Sequence, residues 1–140
     1  MKIYLASPFF DHDESEAVTN AEFLLQSRGF EVFSPRQHEV TEEQEGSPEW
    51  SFKTFQKDKE AIDWCDCMVM LYWGAYSDSG TAWECGYAYG VGKPVVVVQL
   101  GDKSNLMVHE GSQANLSGVN QLAVYDFEKL PKVPYQGLMI

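Results

Sequence analysis

Short apolar runs alternate with amphipathic stretches along this chain, and the alternation predicts an α/β protein. Lys2 to Ala6 reads as a strand, stopped by Ser7-Pro8. Ala17, Val18, Ala21, Leu24 and Leu25 then recur at helical spacing. The helix they mark starts at Asp13 or Ser15 and runs to about Arg28, with Gly29 to end it. Phe30 to Ser34 is a second strand, so a right-handed βαβ unit is the default. Ser51 to Trp64 reads as the second helix, with Phe52, Phe55, Ile62 and Cys65 on one side. Cys67 to Tyr72 and Pro94 to Leu100 are further strands, and Val95-Val96-Val97-Val98 suits a central parallel strand buried on both faces. Between them a third helix starts at about Thr81. Its Gly86, Ala88, Gly90 and Gly92 would let it lie close to the sheet, at some cost in helix propensity. Gly101 to Asn120 is irregular and polar apart from a weak helix near Asn105 to Glu110. Gln121 to Tyr125 reads as a short fifth strand. The expected fold is a doubly wound, flavodoxin- or Rossmann-like sheet of five parallel strands flanked by helices, in one domain over residues 1–140.

Two segments stand outside this rhythm. Pro35 to Trp50 is acidic, with Glu39, Glu42, Glu43, Glu45 and Glu49 around Gly46-Ser47-Pro48, and has no period. A loop of that length in a compact domain is usually functional or mobile. A lid over the strand ends and a plain solvated loop both suit it. The tail is punctuated by proline yet ends in Leu138-Met139-Ile140. An apolar end suggests docking, on this chain or on another subunit.

Composition narrows the function. Hydrophobic residues make up 44% and aromatics 14%, enough for a packed core. A net charge of −11 argues against nucleic acid and anionic membranes as partners, since both call for a basic surface. The opening MKIYLA lacks the h-region of a signal peptide. No apolar run approaches the roughly 20 residues of a membrane span. Cys65, Cys67 and Cys85 are odd in number and sit in apolar contexts, as reduced, buried thiols of a cytoplasmic protein do. Cys65-x-Cys67 has no second ligand pair at zinc-like spacing, so no metal is expected.

Candidate chemistry gathers at Asp78 to Gly92, DSGTAWECGYAYGVG, a polar turn and helix between two strands. In a parallel sheet, ligands bind at the loops leaving the carboxyl ends of strands. Thr81-x-x-Glu84 also fits a capping box, a purely structural use of Glu84. Asp58 falls between Ile62 and Cys65 on the helical wheel, an acid within an apolar stripe. A buried carboxylate is costly without a partner or a task, and Lys57 and Lys59 point elsewhere. Tyr4 and Phe10, on the first strand and its loop, would join Asp58, Asp78 and Glu84 at one sheet edge. Acids around an aromatic-walled pocket suit a glycosidic bond, one attacking the anomeric carbon and another protonating the leaving group. There is no GxGxxG fingerprint and no Walker loop.

Over nearly its full length the chain resembles the nucleoside 2-deoxyribosyltransferases. The opening IYLASPFF, Ser34-Pro35-Arg36, the D-x-G-T-x-x-E-x-G of Asp78 to Gly86, Asn105-Leu106-Met107 and the closing Tyr135-x-Gly137 stand in that family's order and spacing. The resemblance implies exchange of a 2-deoxyribosyl group between purine or pyrimidine bases, with retention and without cofactor or metal. It makes Glu84 the nucleophile, Tyr4 its positioning partner and Asp58 the acid exchanging a proton with the base. Asp78 and Gly80 fall on the sugar side, and Phe10 lines the base pocket. Asn105 and the terminal carboxylate of Ile140 reach sugar hydroxyls from a neighbouring subunit, which implies a homo-oligomer, a dimer or a hexamer.

One position departs from the pattern. Some members read the base with a glutamine in the loop after the second strand, where Glu39 stands here. An ionised carboxylate accepts hydrogen bonds but cannot donate them. The nearest rival function is hydrolysis of the N-glycosidic bond of nucleosides or their 5′-monophosphates. A phosphate cradle is disfavoured by Ser7-Pro8-Phe9-Phe10-Asp11, bulky and ending in an acid. A non-catalytic nucleoside-binding module is the rival of another class.

Overall fold

Side chains alternate from face to face along a strand, and here that alternation sorts the core into two layers. The computed structural model describes residues 1–74 and 78–140. Strands β1 (Lys2–Ala6), β2 (Glu31–Phe33), β3 (Cys67–Tyr72) and β4 (Val95–Gln99) are linked through helices α1 (His12–Ser27), α2 (Pro48–Trp64) and α3 (Ser79–Gly90). Then come β5 (Lys103–Ser104), the short helix α4 (Leu106–Glu110), β6 (Ala114–Leu116) and β7 (Leu138–Met139). One parallel sheet runs in the order β2-β1-β3-β4-β6, and β5 pairs with β7 in a separate parallel ribbon. Ile3, Leu5, Val69 and Val96 pack with Val18, Ala21 and Leu25 of α1 on one face. Tyr4, Met68, Met70 and Val97 pack with Ile62 of α2 and with Cys85 and Ala88 of α3 on the other. The expected doubly wound sheet is therefore present. Its strand order reverses between β1 and β3, which creates the crevice where such sheets bind ligands.

The fifth strand lies elsewhere than expected. Gln121 to Tyr125 is not a strand, because Val119–Ala123 forms a 3-10 helix. Leu122 is buried in the α1-side core, while Arg28 donates to the carbonyls of Leu122 and Tyr125, each at 2.8 Å. The edge of β4 is covered by β6 instead, inside the stretch read as irregular. Its central residue, Asn115, is polar yet buried. The side-chain amide donates to the carbonyls of His109 and Val133, and its oxygen accepts from Gln99 at 2.9 Å. A satisfied asparagine in a three-residue strand hides that strand from an apolar pattern.

Helix starts shift for the same local reason, a cap. Asp11 accepts from the Glu14 N–H at 2.8 Å and Glu14 accepts from the Asp11 N–H at 3.2 Å, so α1 begins at His12. Ser47 caps α2, with Pro48 in its first turn, ahead of the expected Ser51. The expected apolar stripe of α2 is corrected too: Phe52 and Phe55 are 63% and 51% exposed, and the buried residues are Ala61 and Ile62. Gly86 and Gly90 of α3 face open space, and Cys85 and Ala88 make the contact with the sheet. The acidic loop is tied down, with Val40 buried and Lys53 of α2 bonded to Glu43 at 2.5 Å.

Ser34-Pro35-Arg36 has a structural use. Glu22 of α1 is 2% exposed and accepts from the Ser34 hydroxyl at 2.8 Å and from Arg36 Nε at 3.0 Å. A second guanidinium nitrogen completes the ion pair. A buried charge persists when it is paired in this way. The motif thus clamps the start of the loop after β2 to α1.

Gly74 has φ +67°, and a Cβ there would overlap the Lys103 carbonyl. Gly92 has φ +82° but open space around it. Gly74→Ala is expected to cost about 2–3 kcal/mol and Gly92→Ala about 1 kcal/mol, measured by urea unfolding. Equal costs would contradict the close approach.

Candidate active site

Strand alternation places Tyr4 of β1 on the face covered by α2 and α3, where the residue is wholly buried. At the neighbouring strand exit, Asp78 caps α3. Its Oδ2 accepts from the Thr81 N–H and the Thr81 hydroxyl, both at 2.8 Å. A Cβ at Gly80 would come within 3.2 Å of that oxygen, so glycine leaves the carboxylate room to fold over the helix end. Asp78, not Thr81, is the cap. The expected Thr81/Glu84 capping box does not form, and α3 starts at Ser79. Glu84 then falls in the second turn, with its carboxyl free to face inward.

Burial dominates the electrostatics there. The Glu84 carboxyl is pushed up to about 7, by desolvation first and then by the charges of Asp58 and Asp78, against the lowering effect of the Tyr4 hydroxyl. Half-buried Asp58 is pushed up to about 6 by desolvation, with Lys57 and His38 pulling it down. Tyr4 is held well above the ordinary phenol range by burial, then by Glu84 and Asp58. Tyr4 and Glu84 are close enough to feel one another, yet no well-aligned hydrogen bond joins them. Among the described residues, the Tyr4 hydroxyl and Glu84 Oε2 are both buried without a partner. Unpaired buried polar atoms are rare and expensive, and these two stand side by side at the switch point.

The sequence-derived residues fall into groups. Glu84, Asp58 and Gly80 line one cleft of about 460 Å³, walled by Phe55 and Trp83. Tyr4 and Asp78 adjoin it through their interactions with Glu84. Asn105 and Ile140 line a different cavity, of about 960 Å³, with Ala82, Cys85 and Tyr89 of α3. Asn105 caps α4 there, accepting from the Met107 N–H at 2.9 Å. The tail docks on its own chain through the backbone, with the Ile140 N–H donating to Ser104 at 3.1 Å. Its Leu138, Met139 and Ile140 side chains remain exposed. Phe10 stacks on Phe9 with ring centroids 5.8 Å apart but is 79% exposed, and exposed Glu39 stands in the loop after β2. Neither lines either cavity.

Several residues at the site escaped the sequence. Phe33 stacks on Tyr4 at 5.6 Å and His38 on Phe33 at 4.4 Å, a ladder of three rings beside the acids. Trp83 stacks on Tyr87, whose hydroxyl donates to Asp63 at 2.5 Å. Adjacency to Glu84 was the one available signal for Trp83. Nothing in the spacing marks the ladder. His12, Asp13 and Glu16 are near enough together to hold an ion, but they are exposed on the first turns of α1 and outside the cleft.

A family model for nucleoside 2-deoxyribosyltransferases matches residues 3–122. Among solved structures, a 2-deoxyribosyltransferase from Bacillus psychrosaccharolyticus is 40% identical, with 97% of this chain and 100% of that one covered and a TM-score of 0.92. A CMP N-glycosidase from Clostridium botulinum is 20% identical, over 89% of this chain and 100% of that one, with a TM-score of 0.61. A 2-desoxiribosyltransferase from Leishmania mexicana is 24% identical, over 96% and 82%, with a TM-score of 0.58. The last two share the fold. No curated sequence matches the chain.

A carboxyl group pushed up by folding makes the folded state bind the extra proton, so stability falls as pH rises from the ordinary glutamate range toward 7. Glu84→Gln removes that penalty. The variant is expected to unfold with about 2 kcal/mol more free energy than wild type at pH 8, with little difference at pH 4. Urea unfolding at the two pH values checks this, and an unchanged stability at pH 8 would refute the buried, unpaired carboxyl.

Proposed function

The chain belongs to the nucleoside 2-deoxyribosyltransferase family, and from that premise we propose that it moves 2-deoxyribosyl groups between nucleobases through a covalent ester on Glu84. In the first displacement the Glu84 carboxylate attacks C1′ of a 2′-deoxynucleoside. The C–N bond breaks, its electron pair leaves with the base, and Asp58 supplies the proton. In the second, a free purine or pyrimidine attacks the same carbon, its proton passes to Asp58, and the ester C–O bond breaks to free Glu84. Two inversions retain configuration. The atoms and charges balance without a cofactor or metal.

The observation that carries this proposal is Glu84 Oε2, buried against Tyr4 and Asp58 with no partner among the described residues. Burial pushes both carboxyls up, to about 7 for Glu84 and about 6 for Asp58. The reactive form has Glu84 ionised and Asp58 protonated. The Tyr4 hydroxyl favours that form by stabilising charge on Glu84. Asp78 has one oxygen engaged in capping and offers the other to the sugar, at the cleft mouth formed by Gly80. Phe10 is proposed to close over the base, and Glu39 to reach it from the loop after β2. In the cytoplasm, the three buried, free cysteines stay reduced.

The site is also proposed to be shared between copies of the chain in a dimer or hexamer. Asn105 and Ile140 lie in a separate cavity from Glu84, beside exposed Leu106, Met107, Leu138 and Met139. A second copy would bring that surface to the cleft, cover its apolar side chains and complete the sugar contacts.

Incubation with 2′-deoxyinosine and free adenine or cytosine should give a new deoxynucleoside by chromatography, and Glu84→Ala should slow it at least about a thousandfold. Hypoxanthine release with no new nucleoside would indicate a hydrolase instead. Binding without any reaction would leave only a nucleoside-binding module. For the shared site, Glu84→Ala and Asn105→Ala, each nearly inactive alone, should regain activity when mixed and allowed to exchange subunits. Absence of complementation would place each site within one chain.

A further inference from the structure

The ring ladder beside the acids ends on a residue with no role in the chemistry above. His38 follows the 3-10 turn Pro35–Gln37, where the Ser34–Arg36–Glu22 clamp fixes the backbone. Its Nδ1 lies 3.0 Å from the Ser34 carbonyl. A carbonyl only accepts, so Nδ1 carries the proton and the ring orientation is set. One ring face lies on Phe33, with centroids 4.4 Å apart and planes 16° from parallel. Phe33 in turn lies on Tyr4, 5.6 Å away and 12° from parallel. His38 is thus the outer end of a stack whose inner end is the tyrosine against Glu84.

We propose that His38 is a positioning residue of the acid site: through Phe33 its ring holds Tyr4 in place against Glu84, and its charge acts on Asp58. This rests on the function proposed above. Few groups compete with it electrostatically. On α2, Lys57 adjoins Asp58 and also lines the recess that holds His38, together with Glu60. From β2, Glu31 lines the same recess. From α3 and β1, Glu84 and Tyr4 face Asp58. Lys57 and His38 are the cationic groups that favour ionised Asp58. Lys57 carries its charge on a flexible stem, whereas the His38 ring is held by the Ser34 carbonyl and by Phe33. The ring therefore links the loop after β2 to two neighbours of Glu84, the tyrosine through Phe33 and the aspartate by charge.

His38→Phe keeps a ring for the stack and removes the charge. His38→Asn removes both. The first measurement is the titration of the Asp58 carboxyl by carbon-13 NMR in wild type and in each variant, with urea unfolding to confirm that all three fold alike. Removing a positive charge makes the carboxyl harder to ionise, so its midpoint should rise by about half a pH unit in both variants. The second is base exchange at saturating substrate. His38→Asn should lose about tenfold in kcat, while His38→Phe stays within about twofold of wild type and KM changes little in either. An unmoved Asp58 titration in both variants overturns the proposal, and so do equal kcat losses in the two. If wild type exchanges no bases at any pH, the proposed function fails, and the NMR titration alone decides the case for His38.

Discussion

A carboxyl group buried without a hydrogen-bond partner has to be forced into place by the packing around it, and Glu84 is so forced. Desolvation alone would expel the group or keep it protonated. Everything nearby serves that placement. Asp78 caps α3 three residues before Thr81 would have, which turns Glu84 inward instead of toward the helix end. Met68 and Met70 of β3, buried on the same face as Tyr4, make the floor dry.

The parallel sheet explains why these groups meet. They come from β1, α2 and the start of α3, far apart in sequence. Each element ends or passes at the carboxyl edge beside the β1/β3 reversal. A switch-point crevice needs no specialised architecture beyond right-handed crossovers of ordinary length. The apolar faces of the strands supply the fold's stability, leaving the edge to tolerate strain.

Much of this was legible in the residues, because parallel strands announce themselves. Cys67 to Tyr72 and the valine run could be little else. Asp58 stood out as an acid in an apolar context, and Glu84 as an acid after a polar turn. What stayed hidden depended on contacts between distant residues. Asn115 reads as a loop residue until Gln99 and the His109 carbonyl are seen to satisfy it. Glu22 looks like one more solvated acid on α1 until Arg36 and Ser34 fold onto it. The stack of Tyr4, Phe33 and His38 has no period in the chain, since its members come from two strands and a loop. Phe52 and Phe55 misled in the opposite sense, because apolar residues at helical spacing mark a buried stripe only when something lies against it.

The clamp formed by Ser34, Arg36 and buried Glu22 changes what one of the chain's most recognisable motifs signifies. Its side chains are consumed within the protein and touch no atom of the cleft. A search keyed to Ser-Pro-Arg would therefore gather chains that fold in this manner, including any that had exchanged Glu84 for an inert residue. A search keyed to the spacing of Tyr4, Asp58, Asp78 and Glu84 would gather those that share the acid cluster. The two signatures can part company in evolution, and chains carrying the first without the second would share the scaffold and not the acid cluster.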